Sequence, residues 1–578
     1  MMTGYTVTVL NSAKEAVGEL CRDGQGHNPL CVSNAHEVRT FVGSAVDESF
    51  AIGSYKKGYE IVSNGSIHPE MQESSEFGYS YVPLGIILQG EVVVMKGKKA
   101  TKSLREGDFI GLFETSDWIL TNKRRQIGDW TLIAHTDVKI LYIPSGALLN
   151  EDVSAFRSYL TSLARKDHVP QPITNLPLLD WVASHTTQER LSDCAIIAHT
   201  HILPNTVPLF RHLSHLVNFG NMYIVEKPYS TVPAAHKELI LSGMEVLPVM
   251  MEKGVPYEFC VQKSLEILWR KIIEEHKKGS FKNLLILDDG GDIWTSIPWH
   301  LLDSIRIVGV EQTQRGITRV EHSSLRLPPI VSVASSGIKK ILESKFIGRS
   351  VAKKLDEDGY IQNTTQIGVI GMGSIGTAII DYLEGEARTV LSYDPTRSSD
   401  EASLEALLNK SDLIISTTGT DALKGIPFER IAGDKILVSA SSADVEFASI
   451  LKIASPTGTP FENRKIEVHE GLTLNILNVG YPINFDRKAN ATPDEDIVLT
   501  RCLLYIGIMQ CASLLREGEV EGGIYNLDPV AQRETLSKWI QDKMVMSQNP
   551  GVTQSDIDKI ISSSSFQDGR DTLSVWEQ

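Results

Sequence analysis

Cysteine is scarce in this chain, and its spacing fits neither a metal site nor a redox motif. The six cysteines stand far apart and form no CxxC pair: Cys21, Cys31, Cys194, Cys260, Cys502 and Cys511. Zinc ribbons need closely paired thiols, and disulfide-stapled secreted domains need many cysteines in a short chain. The sequence therefore predicts a reducing, cytoplasmic setting with no structural zinc, no bound metal and no disulfides.

Long apolar runs and an excess of basic residues are also missing. No apolar run approaches the ~20 residues that a bilayer-spanning helix needs. The first residues, Met1–Tyr5, lack the basic region and apolar core of a signal peptide. The net charge is −16, and an acidic protein is not expected to hold nucleic acid or anionic lipid through its overall field. We therefore expect neither a membrane nor a nucleic-acid partner.

The chain is long enough for several domains, and its pattern changes along its length. Its 578 residues suggest about three or four domains, and an apolar content of 42% suffices for packed cores. Three prolines between residues 168 and 177 mark the clearest boundary. From 178 to about 350, buried strands alternate with helical patterns, which predicts a mostly parallel sheet. A dinucleotide unit over residues 351–479 follows.

A glycine-rich turn begins that unit. The run Ile367–Gly376 predicts a strand, a tight turn and a helix, and Asp394 ends the next strand. Gly371 permits the turn, Gly373 leaves room for a pyrophosphate, and Gly376 lets the helix pack closely on the sheet. An acid at the position of Asp394 accepts ribose hydroxyls and repels a 2′-phosphate. The pattern predicts a Rossmann domain with NAD as cofactor; a βα turn without a ligand is the alternative.

Beyond this turn, residues 180–545 resemble the adenosylhomocysteinases. Motifs of that family occur in the family's order: Tyr257–Cys260, Leu285–Asp292, Gly309–Gly316, Gly371–Gly376, Thr417–Gly419, Asp444–Glu446 and Leu477–Gly480. The resemblance implies an α/β fold in which the Rossmann-type NAD domain is inserted into a second α/β domain, the substrate domain, formed by residues 178–350 and 480–545. It also implies a small-molecule substrate and a homo-oligomer, either a dimer or a tetramer.

The same resemblance implies roles for individual residues. Eleven residues would bind the cofactor: Gly371, Gly373, Ser374, Ile375, Gly376, Asp394, Thr313, Thr417, Thr418, Gly419 and Asn478. Four would be catalytic: His201, Asp289, Lys339 and Glu343, the last in place of an aspartate. In that family, NAD oxidises the substrate's 3′-hydroxyl, a thiol is eliminated, water adds, and the ketone is reduced again. Lys339 would help to take up the hydroxyl proton.

Several positions depart from the family pattern, some on the substrate side and some on the cofactor side. Leu203 and Asn205 replace the threonine and glutamate that hold the adenine, and Gln312 replaces the glutamate that clasps the ribose. An asparagine beside the cofactor and two histidines are replaced as well, by Ser344, Pro427 and Ser442. The family's C-terminal Lys/Tyr tail is not recognisable. We therefore expect a nucleoside-like or other polyhydroxylated substrate, and not adenosylhomocysteine itself.

The residues alone leave alternatives open. Lys339 and Glu343 could form a surface i,i+4 pair worth only ~0.3–0.5 kcal/mol. Three aspartates near residue 290 could bind hydroxyls or a cation, or could cap a turn. The histidines between residues 199 and 215 lack a cysteine or acid to complete a zinc site. Two other functions compete: a non-catalytic NAD-binding sensor or scaffold, and an NAD dehydrogenase of the 2-hydroxy-acid type, which shares Asp394-Pro395.

Residues 61–168 resemble the β-roll of cyclic-nucleotide-binding domains. Short strands alternate with Gly, Asp and Asn there, as in a small all-β domain. Gly128 and Asp129 stand where that family has its phosphate-binding arginine, and Arg124 and Arg125 are out of place. The resemblance implies a roll that packs or oligomerises without a nucleotide.

The remaining segments give weaker expectations. Residues 151–165 are expected to form the helix that usually follows such a roll. Residues 1–60 have no assignment. Residues 546–578 are polar and rich in serine, which indicates a loose tail.

Overall fold

The structure is a computed structural model, and most of the chain after residue 173 is described in it. The described residues are 5–10, 50–63, 66–67, 84–96, 99–105, 108–111, 130–142, 174–186, 191–218, 220–249, 251, 255–323, 326–453, 462–487, 490–517, 520–545 and 552–563. The chain divides into two compact units, the first formed by residues 1–170 and 240–242 and the second by the rest.

The described residues between 5 and 142 of the first unit form β-strands, as the sequence predicts for a small all-β domain. Its strands are β1 (Tyr5–Leu10), β2 (Phe50–Tyr55), β3 (Glu60–Ser63), β4 (Ser66–Ile67), β5 (Gly85–Gln89), β6 (Val92–Lys96), β7 (Lys99–Leu104), β8 (Phe109–Ile110), β9 (Trp130–Ala134) and β10 (Val138–Tyr142). They form two antiparallel sheets, β1-β2-β10-β5-β8 and β4-β3-β9-β6-β7. Alternating apolar residues such as Ile140 and Tyr142 point into the core between them.

Several expectations for this unit fall outside the described residues. They are the helix over 151–165 and the arginine comparison at Arg124, Arg125, Gly128 and Asp129. Within the described part, the hydroxyls of Tyr55 and Tyr142 hydrogen-bond to each other at 2.7 Å in the core. This pairing satisfies two phenols that would otherwise be buried without partners.

The second unit contains two parallel sheets, and the first of these has seven strands. They are β11 (Cys194–Thr200), β12 (Met222–Glu226), β13 (Glu245–Leu247), β14 (Asn283–Asp288), β15 (Arg306–Glu311), β16 (Pro329–Ser332) and β23 (Gly523–Asn526). Their order is β13-β12-β11-β14-β15-β16-β23, and every pair is parallel. Every residue of β11 is buried, because helices cover both faces of a parallel sheet. The strand order reverses between β11 and β14.

Seven helices connect and cover these strands in the described part of residues 174–357. They are α1 (Pro177–His185), α2 (Val207–Ser214), α3 (Pro233–Leu241), α4 (Tyr257–Lys277), α5 (Asp292–Ser296), α6 (Gln314–Glu321) and α7 (Ser344–Glu357). A single π-helical turn, Lys339–Glu343, precedes α7. In α4 the buried residues recur every three or four positions, which is the pattern that predicts a helix over Tyr257–His276. That prediction is confirmed to within one residue.

The other parallel sheet of the second unit has six strands. They are β17 (Ile367–Ile370), β18 (Val390–Tyr393), β19 (Leu413–Ser416), β20 (Gly433–Ser439), β21 (Arg464–His469) and β22 (Leu472–Ile476). The order is β18-β17-β19-β20-β22-β21, and only β21 is antiparallel to its neighbour. Its helices include α8 (Ser374–Gly385), α9 (Leu404–Lys410) and α10 (Ala448–Ile453). The predicted α/β fold with a Rossmann-type domain is confirmed, while the domain boundaries stay predictions.

One C-terminal helix overturns an expectation from the sequence. Helix α11 (Asp494–Arg516) has an 18-residue window of mean hydropathy 1.7, and among the described residues it alone is long and apolar enough to cross a membrane. The sequence analysis missed it because Arg501 interrupts the apolar residues. In the structure 94% of that window is buried inside the protein, where α11 packs on β14, β15 and β16.

The C-terminal segment overturns a second expectation. After α12 (Pro529–Val545), the chain forms α13 (Gln554–Ile561). Thr553 and Asp556 make a reciprocal capping box at its start. Asp556 also accepts a hydrogen bond from the Lys345 ammonium at 2.7 Å. The loose tail expected over 546–578 is therefore wrong for residues 552–563, which are held against the start of α7.

Candidate active site

Polar and ionisable side chains gather where the strands of the seven-stranded sheet end. His201 follows β11, Lys227 follows β12, Asp289 follows β14 and Gln312 follows β15. All of these lie at the carboxyl edge, close to the reversal of strand order between β11 and β14. In open α/β sheets, the crevice outside the carboxyl ends of the strands at such a reversal is where ligands bind. We call this group, together with Lys339, Glu343 and Arg501, the charged cluster.

The centre of the charged cluster is a buried ion pair between Lys227 and Asp289. Each side chain is 3% exposed, and the ammonium lies 2.9 Å from Asp289 Oδ1. The same ammonium donates to the Asp289 carbonyl oxygen. Burial alone would raise the pKa of the Asp289 carboxyl, but the charge of Lys227, its hydrogen bond and the charge of Lys339 hold that pKa well below its usual range. Asp289 is therefore a carboxylate, and its Oδ2 has no hydrogen-bond partner in the described structure.

His201 lies beside Asp289 Oδ2, and its ring packs against an aromatic side chain. Its Nε2 is 3.6 Å from Asp289 Oδ2, and its Nδ1 is hydrogen-bonded to the Ser230 hydroxyl at 2.7 Å. The ring stacks on Phe485 with centroids 4.3 Å apart. Burial is the main cause that holds the pKa of His201 well below its usual range, and the positive charge of Lys227 lowers it further. The ring is therefore neutral, and it can exchange hydrogen bonds with a hydroxyl group.

Lys339 and Glu343 form a second ion pair at this edge. They lie on the π-helical turn before α7, and such turns are frequent at functional sites. The ammonium is 2.5 Å from Glu343 Oε1, and the two side chains are 12% and 11% exposed. The Thr500 hydroxyl donates to the other oxygen of Glu343. The structure therefore excludes the surface i,i+4 pair that the sequence left open.

Arg501 of α11 is a third cation in the cluster, and it is 3% exposed. Its Nη2 donates to Asn205 Oδ1 at 2.8 Å, and the Asn205 amide donates in turn to Asp494 Oδ1 at 3.4 Å. Burial lowers the pKa of the Arg501 guanidinium. The resemblance places the adenine-binding glutamate at Asn205, and here that side chain is engaged by an arginine.

The three aspartates near residue 290 have separate tasks. Asp288 Oδ2 accepts from the backbone N–H groups of Ile293 and Trp294, and thereby caps α5. Asp292 is paired with Arg319 at 2.5 Å. Asp289 Oδ2 is the oxygen of this group that is buried without a hydrogen-bond partner in the described structure. The sequence left open whether these aspartates cap a turn or bind a ligand. Asp288 is a cap, while Asp289 keeps an acceptor oxygen that a ligand hydroxyl could use.

Two substituted positions also face this edge. Gln312 is 7% exposed, and its Oε1 has no hydrogen-bond partner among the described atoms. Leu203 is 4% exposed and presents no polar group. A buried amide oxygen without a donor is costly, so Gln312, like Asp289, has an acceptor available for a ligand hydroxyl.

The glycine turn after β17 has the geometry that a dinucleotide requires. Gly371 has φ +90°, a value that favours glycine. A Cβ on Gly376 would lie 1.9 Å from the Gly371 carbonyl oxygen, whereas a Cβ on Gly373 would meet nothing within 4 Å. Gly376 therefore serves helix packing, and Gly373 faces open space before the N-terminus of α8. Ser374 and Ile375 form the first turn of that helix, and this cradle fits a pyrophosphate.

Asp394 ends β18 next to this turn. Its Oδ2 accepts from the Met372 N–H at 2.7 Å, and its Oδ1 accepts from the N–H and the hydroxyl of Thr396. The Met372 hydrogen bond, outweighing burial, lowers the pKa of Asp394. Arg397 donates to the Met372 carbonyl oxygen at 2.5 Å. The acid is thus fixed where a ribose would lie, with lone pairs left to accept hydroxyls.

The loop after β19 closes the other side of the cofactor site. The Thr417 hydroxyl donates to the Gly371 carbonyl oxygen at 2.8 Å. The Thr418 hydroxyl and the Gly419 N–H donate to the buried carboxylate of Glu446 at 2.7 and 2.6 Å. These residues lie together at the carboxyl ends of β17 and β19, where the strand order reverses.

Two of the residues expected to bind the cofactor are occupied by local contacts. Thr313 caps α6: its hydroxyl accepts from the Gly316 N–H at 3.0 Å and donates to Glu311 at 2.7 Å. Asn478 has φ +48°, and its side-chain amide donates to the Pro482 carbonyl oxygen at 3.3 Å. Contacts of these two with the cofactor stay predictions.

The edges of the two parallel sheets meet through direct contacts. Arg315 of α6 donates to the Ser442 carbonyl oxygen at 3.4 Å. Asp444 accepts from the Tyr257 N–H at 3.3 Å and from the Tyr481 hydroxyl at 3.5 Å. The segment that follows β20 therefore contacts the helices that follow β13 and β15.

Three residues of these two sheet edges were not predicted from the sequence as site residues. Lys227 comes directly after a buried strand, so its place at a carboxyl edge could have drawn attention. Arg501 is the one charged residue between Ile497 and Leu515 of α11, and a charge in such an apolar stretch is costly to bury. Glu446 was noticed only as part of a motif. Each was overlooked because its partner stands far away in the sequence.

Metal ligation was not expected, and the described residues contain no group of three or more His, Cys, Asp or Glu that could hold an ion. His212 hydrogen-bonds to Asp180 at 2.8 Å, and His199 to the Tyr257 hydroxyl at 3.1 Å. Two of the histidines considered for zinc therefore have other partners.

Comparison with known proteins supports the cofactor assignment. The profile of the D-isomer specific 2-hydroxyacid dehydrogenase, NAD binding domain, matches residues 340–426. Erythronate-4-phosphate dehydrogenase of Salmonella paratyphi A is 23% identical over 235 residues, 39% of this chain and 58% of that protein. Residues 340–426 therefore belong to an NAD-binding domain of the dehydrogenase type, and NAD is the cofactor.

Other relatives extend the similarity beyond this domain. An uncharacterized protein of Mycobacterium tuberculosis, MT0113, is 26% identical over 380 residues, 62% of this chain and 74% of the relative. Adenosylhomocysteinase of Sulfolobus acidocaldarius is 22% identical over 340 residues, 53% of this chain and 79% of that enzyme. A solved structure, cAMP-bound PfPKA-R, aligns at 18% identity over 27% of this chain and 45% of its own, but its TM-score of 0.18 carries no argument.

Proposed function

We propose that this protein is an NAD-dependent enzyme of the adenosylhomocysteinase type that oxidises a hydroxyl of a nucleoside-like or polyhydroxylated substrate. The observation that carries the proposal is the largely buried ion pair between Lys339 and Glu343. The positive charge of Lys339 lies close enough to Asp289 to lower the pKa of that acid. Buried charged pairs are costly to maintain. Their concentration at the carboxyl edge that faces an NAD domain favours chemistry over packing.

Lys339 and Glu343 together are proposed to take up the proton of the hydroxyl that is oxidised: the Glu343 carboxylate accepts a proton from the Lys339 ammonium, and the resulting amine accepts the hydroxyl proton. Bound NAD supplies the hydride acceptor for an alcohol. Glu343 fixes the lysine side chain through one oxygen, while Thr500 holds the other. A rigid i,i+4 arrangement on a π-helical turn keeps the amine in one position, as proton transfer in a bound complex requires.

Asp289, His201 and Gln312 are proposed to position the substrate. The free Oδ2 of Asp289 and the free Oε1 of Gln312 can each accept a hydroxyl hydrogen. The neutral ring of His201 lies 3.6 Å from the same Asp289 oxygen and can share a hydroxyl with it. Acceptors that converge in this way suit a polyhydroxylated molecule.

Adenosylhomocysteine is not proposed as the substrate. Leu203 offers no polar group to an adenine edge, and Asn205 is engaged by Arg501 and Asp494. Gln312 is neutral, whereas hydrogen bonds to a charged group are worth ~1.5–3 kcal/mol. Each loss would lower rate or affinity by roughly 10–100-fold.

A second candidate is an NAD dehydrogenase of the 2-hydroxy-acid type. The profile match over residues 340–426 and the erythronate-4-phosphate dehydrogenase similarity favour it. A non-catalytic NAD-binding sensor or scaffold is the remaining alternative. In that case the charged cluster would bind a ligand without turnover.

The test compares Lys339→Ala with Lys354→Ala in the purified full-length protein. Lys354 lies on α7 and makes an i,i+4 pair with Asp358 at 3.0 Å, but both side chains are more exposed, at 23% and 34%. NAD reduction is followed with nucleosides, sugar acids and their phosphates, erythronate 4-phosphate included. Homocysteine release from adenosylhomocysteine is measured in parallel.

We expect Lys339→Ala to lower NAD reduction by about 10²–10⁴-fold with unchanged NAD affinity, because the proton acceptor is lost. Lys354→Ala should keep full activity. Robust homocysteine release by the parent protein would refute the substrate assignment. Undiminished turnover in Lys339→Ala would refute the catalytic role, and NAD binding without reduction by any compound would favour the sensor.

A further inference from the structure

Arg501 is the one charge of the cluster without a carboxylate partner. Asp289 is paired with Lys227 and Glu343 with Lys339, at 2.9 and 2.5 Å. Among the described residues, no carboxylate oxygen lies within ion-pair distance of the guanidinium. Its hydrogen bond to Asn205 is made with a neutral amide, and its Nε has no partner.

An unneutralised guanidinium in such a place is costly. Arg501 is 3% exposed, so water does not screen its charge, and burying an unpaired charge carries a large desolvation penalty. Asp494 is reached only through the Asn205 amide, and it also accepts from Asn490 at 2.6 Å. A buried arginine with a vacant donor is suited to a bidentate bond with an anion.

The neighbours of Arg501 indicate which molecule would carry that anionic group. Thr500, the preceding residue, donates to Glu343. Asp289 and Glu343 both act on the guanidinium electrostatically, and Arg501 acts likewise on His201. A ligand held by Asp289 and Lys339 would therefore reach Arg501 with another of its groups.

We propose that the substrate carries an anionic group, a carboxylate or a phosphate monoester, which binds Arg501, while its hydroxyls bind Asp289 and Gln312. This inference rests on the proposed function and narrows its substrate to a polyhydroxylated acid. The Arg501 fork supplies two parallel donors to such a group. A neutral nucleoside would leave the guanidinium unpaired.

The test uses the full-length protein saturated with NAD, so that the pyrophosphate turn is occupied. Inorganic phosphate, D-gluconate and the neutral D-glucitol are titrated, with binding measured by calorimetry and by the shift of the unfolding temperature. The variants are Arg501→Gln and Arg501→Lys. Arg211→Gln is the matched control, because Arg211 is paired with Glu238 on α2 and α3, outside the cluster.

We expect phosphate or gluconate, or both, to stabilise the parent and Arg211→Gln, and glucitol to do so at least about tenfold more weakly. Arg501→Gln should lose at least about tenfold in anion affinity, and Arg501→Lys should be intermediate because it keeps the charge without the fork. Binding of phosphate but not gluconate would indicate that the substrate's anionic group is a phosphate monoester. Binding of gluconate but not phosphate would indicate a carboxylate.

Absence of anion binding in the parent, or equal binding in Arg501→Gln, would overturn the inference. If Arg501→Gln does not fold, Arg501→Lys and the gluconate–glucitol comparison decide. Neither probe has to be oxidised, so a failure of the anion site is distinguishable from a failure of NAD reduction.

Discussion

The carboxyl edges of the two parallel sheets are built in opposite ways. The edge of the six-stranded sheet is made by one short run, Gly371–Gly376, by the half-buried Asp394 and by one adjoining loop. The edge of the seven-stranded sheet brings together charged side chains from four separate segments, among them Lys227, Asp289 and Arg501. The first binds with backbone groups, the second with ionised side chains.

This difference determines what each edge tolerates. A backbone cradle costs little to keep empty, because its N–H groups face solvent at a helix N-terminus. In a buried charged cluster, paired charges neutralise each other, so removal of one side chain of a pair leaves a buried charge without its partner. We therefore expect changes in the cluster to affect stability strongly and changes in the cradle to affect mainly cofactor binding.

The largest effect on stability is expected from Lys227→Met. Asp289 would keep its buried charge without its partner, so the free energy of unfolding should fall by about 3–5 kcal/mol. Urea denaturation followed by circular dichroism measures this change. The double variant Lys227→Met/Asp289→Leu should recover much of the loss, because no unpaired charge is left.

The control is Lys271→Met. Lys271 is paired with Glu245 in the same sheet region, but the two side chains are 30% and 36% exposed. Exposed pairs contribute about 0–1 kcal/mol, so little stability should be lost. Equal losses in Lys227→Met and Lys271→Met would contradict the contrast between the two edges.

The two edges also differ in how far the sequence predicts them. Gly371, Gly373 and Asp394 follow from spacing, because the turn and its strands are contiguous in the chain. The contacts of the cluster join residues that are far apart in sequence: Arg501 meets Asn205, and Thr500 meets Glu343. Only the folded sheet brings those pairs together, so no local pattern could predict them.

The pH dependence of stability offers a sharper test at the same edge, through Glu226. Burial raises the pKa of this carboxyl to about 8, against about 4.3 in an unfolded chain. Between these values the folded protein keeps a proton that the unfolded chain has released. Its contribution to stability therefore declines as pH rises through this interval, by up to about 1.4 kcal/mol per pH unit. Glu226→Gln should remove that slope.

Unfolding by urea at about pH 5 and about pH 8 measures the slope for the parent and the variant. Glu384→Gln, at an exposed carboxylate on α8, is the control. Equal changes of stability between these two pH values in the parent and in Glu226→Gln would show that Glu226 ionises normally in the folded protein.

The smallest effect on stability, and the clearest on binding, is expected from the glycine pair. Gly376→Ala places a methyl group 1.9 Å from a backbone oxygen, so we expect a stability loss of about 1–3 kcal/mol and loss of NAD binding. Gly373→Val meets nothing within 4 Å of its Cβ and should keep its stability while binding NAD at least about tenfold more weakly. Calorimetry with NAD measures the affinity of both variants. Unchanged NAD affinity in folded Gly373→Val would show that Gly371–Gly376 does not bind the pyrophosphate.

Strand β23 imposes an order on biosynthesis. It pairs with β16 at the end of the seven-stranded sheet, yet the whole six-stranded sheet is translated between them. Helix α11, which covers β14, β15 and β16, also leaves the ribosome only after that insertion. While the chain is growing, the earlier strands have one uncovered face and an open edge, which are the surfaces that aggregate and that chaperones bind. All strands of the six-stranded sheet are available before β23 is made, whereas the seven-stranded sheet is complete only when the last part of the chain has been translated.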